Sequence, residues 1–153
     1  MSEIELTRDE VLELIPQQAP FRFIDELVEL SENHAVGRYT FKEDEFFYAG
    51  HFPGQPITPG VILLESLCQT GLVALGLYLL AKEVPRDQLN EHKTLFTDAQ
   101  VDFSGMVLPG DTVTIHAEKT FWRRRKLRSQ VEMKLADGTL VASGQVSGMG
   151  VKT

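Results

Sequence analysis

Residues 50–69, "GHFPGQPITPGVILLESLCQ", decide the fold of this chain. The first half is a proline-stiffened loop that contains His51. Pro59 and Gly60 then stand just before a long apolar run (61–81), a pattern typical of a helix start. Because this helix is apolar on nearly all sides, the rest of the chain must surround it.

The apolar run also contains two polar side chains, Glu65 and Gln69. Its length would suit a membrane-spanning helix, which is the alternative interpretation. A carboxylate in the middle of a bilayer is costly, however, and Lys82 and Glu83 give the helix a polar end. We therefore expect a helix buried in protein, and no membrane partner.

The remaining sequence predicts one short helix and a series of strands. Thr7 and Glu10 form a capping-box pattern, which predicts a helix over 7–14, and Asp137-Gly138 is a strong hairpin signal. Strands are predicted over 20–30, 35–41, 95–103, 111–122, 127–136 and 139–148, with a turn at 32–34 and a polar loop at 83–93. One long helix with mostly antiparallel strands implies an α+β fold, a curved sheet around that helix, in a single domain over 1–153.

The composition narrows the function and the compartment. The protein has 153 residues, a formal net charge of −7 and a pI of about 5.1, which argues against a nucleic-acid partner. Its one cysteine, Cys68, cannot form an intramolecular disulfide, so a reducing compartment fits best. The N-terminal residues lack the basic and apolar regions of a signal peptide, so we expect a cytoplasmic protein.

Three segments resemble the FabZ-type (3R)-hydroxyacyl-[acyl-carrier-protein] dehydratases. They are "LIPQQAPFRFID" (14–25), "EFFYAGHFPGQPITPGVILLESLCQ" (45–69) and "VLPGD" (107–111). The resemblance implies the hotdog fold and the elimination of water from a (3R)-3-hydroxyacyl thioester to give a trans-2-enoyl thioester, in fatty-acid or related lipid or polyene synthesis. It also implies that acyl carrier protein is a partner, that its phosphopantetheine arm carries the substrate, and that no further cofactor takes part.

The residues of the central segment suit this elimination chemically. Histidine is the usual general base near neutral pH, so His51 is the candidate base for the C2 proton. Glu65 lies in an apolar run, where desolvation favours the protonated form, and is the candidate acid for the departing hydroxyl. Backbone N–H groups of Gly60 and Val61 at the helix start could polarise the thioester carbonyl. Gln69 is one turn beyond Glu65 on the same helix face and could hold its carboxyl group.

Each of these residues also has a structural interpretation. A histidine in a Pro/Gly loop is more often a packing residue, and a glutamate in a buried helix can be salt-bridged to an arginine. Cys68 is most simply a packing residue. His34, His92 and His116 lie far apart without metal-ligand spacing, so no metal site is expected.

The segment "WRRRKLR" (122–128) concentrates positive charge in an otherwise acidic chain. We interpret it as a docking patch for acyl carrier protein, which is acidic. The alternative is an edge strand protected by charge. The basic residues are Arg123, Arg124, Arg125, Lys126 and Arg128.

One departure from the family pattern concerns charge. Where the family usually has a basic, proline-containing segment, this chain has "VDFSGMV" (101–107). Asp102, Ser104 and Gly105 remove positive charge there, so carrier docking or the lip of the pocket is expected to differ.

Other departures concern the pocket and the pathway. Gln55 and Thr58 stand where His and Met are more usual in the family, which favours a specialised pathway such as polyene or secondary lipid synthesis. Glu65, where isomerising FabA relatives carry Asp, favours a plain dehydratase.

The hotdog fold is also compatible with two functions other than dehydration. A hotdog thioesterase would use the carboxylate to activate water, and a non-catalytic hotdog subunit would only bind the acyl carrier. In the family two hotdogs pair side by side, with the His of one subunit facing the Glu of the other. We therefore expect a homodimer, and a trimer of dimers is a further possibility, with His51 and Glu65 of each site on different chains.

Overall fold

The computed structural model describes residues 5–153 and shows a six-stranded sheet folded around one long helix. The strands run antiparallel in the order β1-β2-β4-β5-β6-β3. They are β1 (Glu26–Leu30), β2 (His34–Thr40), β3 (His92–Phe103), β4 (Thr112–Arg123), β5 (Lys126–Leu135) and β6 (Leu140–Lys152). The α+β architecture expected from the sequence is confirmed.

The central helix, α2, spans Gly60–Leu80. It is α-helical over Gly60–Cys68, widens into a π-helix over Gln69–Ala74 and returns to an α-helix over Leu75–Leu80. The helix is long and apolar enough to cross a membrane, but 72% of its apolar stretch is buried inside the fold. Its apolar surface is thus covered by the sheet, which is the arrangement expected of a core helix.

The short N-terminal helix, α1 (Arg8–Leu14), begins as predicted. The Thr7 hydroxyl accepts from the Glu10 N–H at 3.1 Å, and the Thr7 N–H donates to the Glu10 carboxylate at 3.0 Å. Both bonds of the capping box are therefore present.

The strand predicted over 20–30 is correct only in its second half. β1 begins at Glu26, and residues 20–25 are irregular. The backbone N–H and carbonyl of Phe23 bond to side chains of α2, Gln69 and Ser66, instead of to a neighbouring strand. Because these groups are already satisfied, no ladder forms there.

Residues 83–93 differ from the predicted polar loop as well. They include a short 3₁₀-helix, Arg86–Glu91, and the first residues of β3, which starts at His92. β6 also extends to Lys152, beyond the predicted end of its strand.

The basic segment 122–128 forms the hairpin between β4 and β5. These strands lie in the interior of the sheet, so the alternative of an edge strand is wrong. Arg123 pairs with Lys126, and the turn between them is made by Arg124 and Arg125 at φ of 52° and 64°. Such positive φ values favour glycine or asparagine, so the two arginines occupy the turn at a conformational cost.

β3 is an exposed edge of the sheet. It is 12 residues long, and among the strands of residues 5–153 it pairs only with β6. Leu95, Phe96 and Phe103 on this strand are 54%, 48% and 47% exposed. A long edge strand with exposed apolar side chains is a typical site of pairing with another chain.

Candidate active site

The loop before α2 holds His51 by three hydrogen bonds. The His51 N–H donates to the Phe47 carbonyl at 3.1 Å, and the Ile57 N–H donates to the His51 carbonyl at 2.9 Å. The ring Nδ1 lies 2.9 Å from the Ile57 carbonyl oxygen. Because a carbonyl oxygen only accepts, Nδ1 must carry the hydrogen, and a neutral His51 then presents the lone pair of Nε2.

Glu65 is held on α2 by Gln69. The Gln69 side chain is fully buried, and its Nε2 donates to Glu65 Oε2 at 2.9 Å and to the Phe21 carbonyl at 3.0 Å. Its Oε1 accepts from the Phe23 N–H at 2.7 Å. These contacts fix which end of the amide faces the carboxyl group, so Glu65 Oε2 is an acceptor and Oε1 is left for other contacts.

The environment of Glu65 favours its protonated form. Burial raises the pKa of this carboxyl group above its ordinary value, and the hydrogen bond from Gln69 opposes the rise only in part. A protonated carboxyl group can donate a hydrogen bond or a proton, as a general acid must.

The start of α2 lies open to solvent. Gly60 is exposed and Val61 is 74% exposed. Within residues 5–153, the N–H groups of these two residues have no hydrogen-bond partner, whereas those of Ile62 and Leu63 donate to the Pro59 carbonyl. Two free N–H groups at the positive end of a helix can stabilise negative charge on a carbonyl oxygen.

The structure brings Gln69 to Glu65 but does not pair Glu65 with His51. Between these two residues of one chain, the part of the protein that the structure describes contains no hydrogen bond or ion pair. A cleft of about 450 Å³ on the outer face of the sheet is lined by other residues, among them His34, His116 and Glu118. The predicted catalytic residues do not form a joint pocket there.

Several contacts of the site could not be read from the sequence. Ile57, Phe21 and Phe23 act through backbone atoms, whose partners no sequence motif identifies. Ser66 donates to the Phe23 carbonyl at 2.8 Å and holds the same segment.

The chain has one cysteine, Cys68, and three histidines besides His51. Burial, aided by the charge of Glu65, raises the pKa of the Cys68 thiol to about 12, so the reactive thiolate is suppressed. Among the described residues, 5–153, no three His, Cys, Asp or Glu side chains converge as a metal-binding group.

Comparison with known proteins identifies the family. The sequence profile of the FabA-like domain matches residues 15–146. The 3-hydroxyacyl-[acyl-carrier-protein] dehydratase FabZ of Methylobacterium sp. is 36% identical, over 91% of this chain and 82% of its own length. FabZ of Acetivibrio thermocellus is also 36% identical, over 92% of both chains. The chain belongs to the FabZ family.

Solved structures confirm that this FabZ-family chain has the hotdog fold. The dehydratase heterocomplex ApeI:P of Xenorhabdus doucetiae superposes with a TM-score of 0.76 at 16% identity, covering 94% of this chain and 91% of the other. A thioesterase of Haemophilus influenzae superposes with a TM-score of 0.68 at 13% identity, covering 98% and 94%. At such identities the likeness concerns the fold alone.

The basic hairpin of this FabZ-family chain contains two kinds of arginine. Arg125 donates to His92 Nε2 at 3.2 Å, and Arg128 donates to the Ser147 hydroxyl at 3.2 Å and lies over the Phe121 ring. Arg123 and Arg124 are exposed. The exposed pair is thus available to an outside partner, while the other two also hold the fold.

Proposed function

We propose that the protein is a lyase that eliminates water from (3R)-3-hydroxyacyl-[acyl-carrier-protein], giving the trans-2-enoyl product. The proposal rests on the different protonation states that the structure favours at His51 and at Glu65. His51 has its Nδ1 hydrogen committed to the Ile57 carbonyl, and Glu65 has a raised pKa beside Gln69. One group is thus set to accept a proton and the other to give one.

The elimination follows from these two states. His51 Nε2 removes the C2 proton while the thioester oxygen accepts hydrogen bonds from the free N–H groups of Gly60 and Val61. Glu65 Oε1 protonates the C3 hydroxyl, the C3–O bond breaks, and the C2–C3 double bond and water form. The imidazolium and the carboxylate left behind return to their starting states by proton exchange with solvent. No metal or further cofactor is required by this scheme.

The direct test is mass spectrometry of 3-hydroxyacyl carrier proteins of several chain lengths after incubation with the protein. Loss of 18 Da, without a change when a chelator is added, is expected if the proposal holds. Accumulation of free acid would instead indicate the thioesterase alternative. A strict requirement for a divalent ion, or an unchanged substrate, would contradict the proposal.

We further propose that the working form is a twofold dimer with shared sites. The long, exposed edge of β3 can pair with its copy, and its apolar side chains would be covered there. In such a pair His51 of one chain would face Glu65 of the other. A trimer of such dimers rests on the family resemblance, and a cytoplasmic location rests on the single cysteine.

The position of the basic hairpin supports the same assembly. Trp122 donates to Glu83 at 2.9 Å, which places the hairpin beside the C-terminal end of α2. Glu65 lies near the other end, roughly 22 Å from Leu80 at 1.5 Å per residue. An antiparallel pair of chains would bring the hairpin of one toward the helix start of the other, where a carrier docked on it could deliver its arm.

The docking role predicts a selective kinetic defect. Replacing Arg123 by Gln and Arg124 by Asn removes two exposed charges, and Asn tolerates the left-handed turn. We expect KM for the carrier-bound substrate to rise about tenfold at low salt and its salt dependence to flatten, because exposed charges steer the encounter. Turnover of a small thioester without carrier should not change.

A matched variant controls for net charge. Arg38→Gln with Lys134→Gln removes two charges elsewhere, each paired with a glutamate on the surface. It should leave KM for the carrier-bound substrate within about twofold, since exposed ion pairs contribute little. Equal losses on both substrates in the hairpin variant would show that the hairpin is structural instead.

A further inference from the structure

A buried hydroxyl pair lies beneath the loop that carries His51. The Tyr48 hydroxyl and the Thr58 hydroxyl are 2.6 Å apart, and the two residues are 5% and 4% exposed. Each hydroxyl is therefore shielded from water and finds its partner in the other. A methionine, which the family pattern more usually has at position 58, has no hydroxyl and offers only a weakly accepting thioether.

The pair spans the two ends of the loop. Tyr48 follows Phe47, whose carbonyl accepts from the His51 N–H. Thr58 follows Ile57, whose carbonyl lies against the His51 ring and whose N–H donates to the His51 carbonyl. The hydroxyl bond thus joins the residues that directly follow the two that hold His51.

One end of this link is fixed to the segment between β3 and β4. The Thr58 N–H donates to the Val107 carbonyl at 2.9 Å, and Val107 is fully buried. Thr58 is also joined through Pro59 to Gly60, the first residue of α2. A shift of Thr58 would therefore move the Ile57 carbonyl and the helix start together.

We propose that Tyr48 and Thr58 are positioning residues that hold the Ile57 carbonyl against His51 Nδ1 and so keep His51 in the tautomer with a free Nε2. This rests on the proposed function for its catalytic consequence, but the tautomer itself does not depend on catalysis. Without the link, the carbonyl moves and the proton can occupy Nε2, where it blocks proton abstraction.

The test uses two nearly isosteric replacements, Tyr48→Phe and Thr58→Val. We expect kcat to fall about tenfold or more with little change in KM, since a displacement of 1 Å can cost on the order of 10²-fold. ¹⁵N NMR of the His51 ring should show the Nδ1–H tautomer in the natural protein and a mixture in each variant. The double variant contains neither hydroxyl, so no buried hydroxyl is left without a partner. It should therefore regain the stability lost in the single variants and still show the mixture of His51 tautomers.

Two controls separate positioning from stability. Thr58→Ser keeps the hydroxyl and should keep the tautomer. Ser129→Ala removes a buried hydroxyl that donates to the Gly71 carbonyl at 2.7 Å, outside the loop, and should lower Tm without altering the His51 spectrum.

One combination of results would overturn the proposal. If Tyr48→Phe and Thr58→Val lower Tm but keep a single Nδ1–H tautomer, and kcat stays within twofold, the pair only stabilises the fold. If a single variant does not fold, the ¹⁵N spectrum of the double variant shows in the same way whether His51 keeps the Nδ1–H tautomer. An inactive natural protein with the expected tautomer change would count against the proposed function and leave the positioning role intact.

Discussion

Replacing His51 by Ala, or Glu65 by Gln, is expected to lower kcat by about 10³-fold, because each change removes one of the two proposed proton-transferring groups. His51→Ala removes the proposed base, whose Nε2 is left free by the contact with Ile57. Glu65→Gln keeps the shape and the acceptor for Gln69 but cannot give up a proton at neutral pH. Steady-state rates with a carrier-bound substrate measure both losses.

A mixture of the two inactive variants should recover activity if sites are shared. After joint unfolding and refolding, random pairing puts about half of the molecules in mixed dimers. Each mixed dimer has one intact site and one doubly altered site, so about a quarter of the natural activity should return. Background activity in mixed dimers confirmed by native mass spectrometry would mean that both residues act within one chain.

The stability of Glu65→Gln separates a chemical loss from misfolding. A carboxyl group whose folded pKa is raised destabilises the fold as pH rises from the ordinary carboxyl pKa through the raised value. Below that window both states are protonated and the cost is absent. Glu65→Gln should therefore raise Tm at pH 8 relative to the natural protein, and by less at pH 4. An equal or lower Tm at pH 8 would show that the buried charge is not a cost.

Gly144→Ala is expected to destabilise the fold by about 3 kcal/mol, which is roughly a 10 °C fall in Tm for a chain of this size. A Cβ at this position would lie 2.7 Å from the Val101 Cα and closer still to the Gln100 carbonyl oxygen. Both atoms belong to the backbone of β3, which cannot rotate away as a side chain can. β3 must therefore separate from β6 along this part of the ladder.

The matched control is Gly150→Ala in the same strand. The nearest atoms to a Cβ there, in Arg125, are 3.5 Å away or more, which is ordinary contact. We expect a change below about 1 kcal/mol. If calorimetry gives similar losses of stability for Gly144→Ala and Gly150→Ala, the close approach of β3 is not the reason that a side chain at Gly144 is destabilising.

The main elements were predictable because their signals are local. The apolar run of α2, the capping box of α1 and the Asp137-Gly138 turn each follow from residues close in sequence. The position of Gln69 one turn beyond Glu65 likewise predicts their contact, since helical spacing places such residues on one face.

The parts that escaped prediction depend on tertiary contacts. Residues 20–25 have the composition of a strand, yet Gln69 and Ser66 take up the Phe23 backbone groups, and the strand starts later. The basic hairpin contains no Gly or Asn to mark a tight turn, so its two positive φ values were not foreseen. The His51 tautomer depends on the backbone carbonyl of Ile57. Because every residue has such a carbonyl, no residue type in the sequence marks this contact.

The edge strand β3 has a consequence for how the protein must be handled in the cell. Until the proposed second copy covers it, its unpaired backbone can accept any extended peptide, including a misfolded neighbour. Asp98 and Asp102, together with the bulge between Phe96 and Asp98, discourage this along the later part of the strand. Leu95 and Phe96 are exposed at the start of the strand, where Lys93 is the nearest charged side chain before them. If the proposed dimer assembles slowly at low concentration, we expect aggregation through this exposed stretch, and newly made chains would benefit from rapid association.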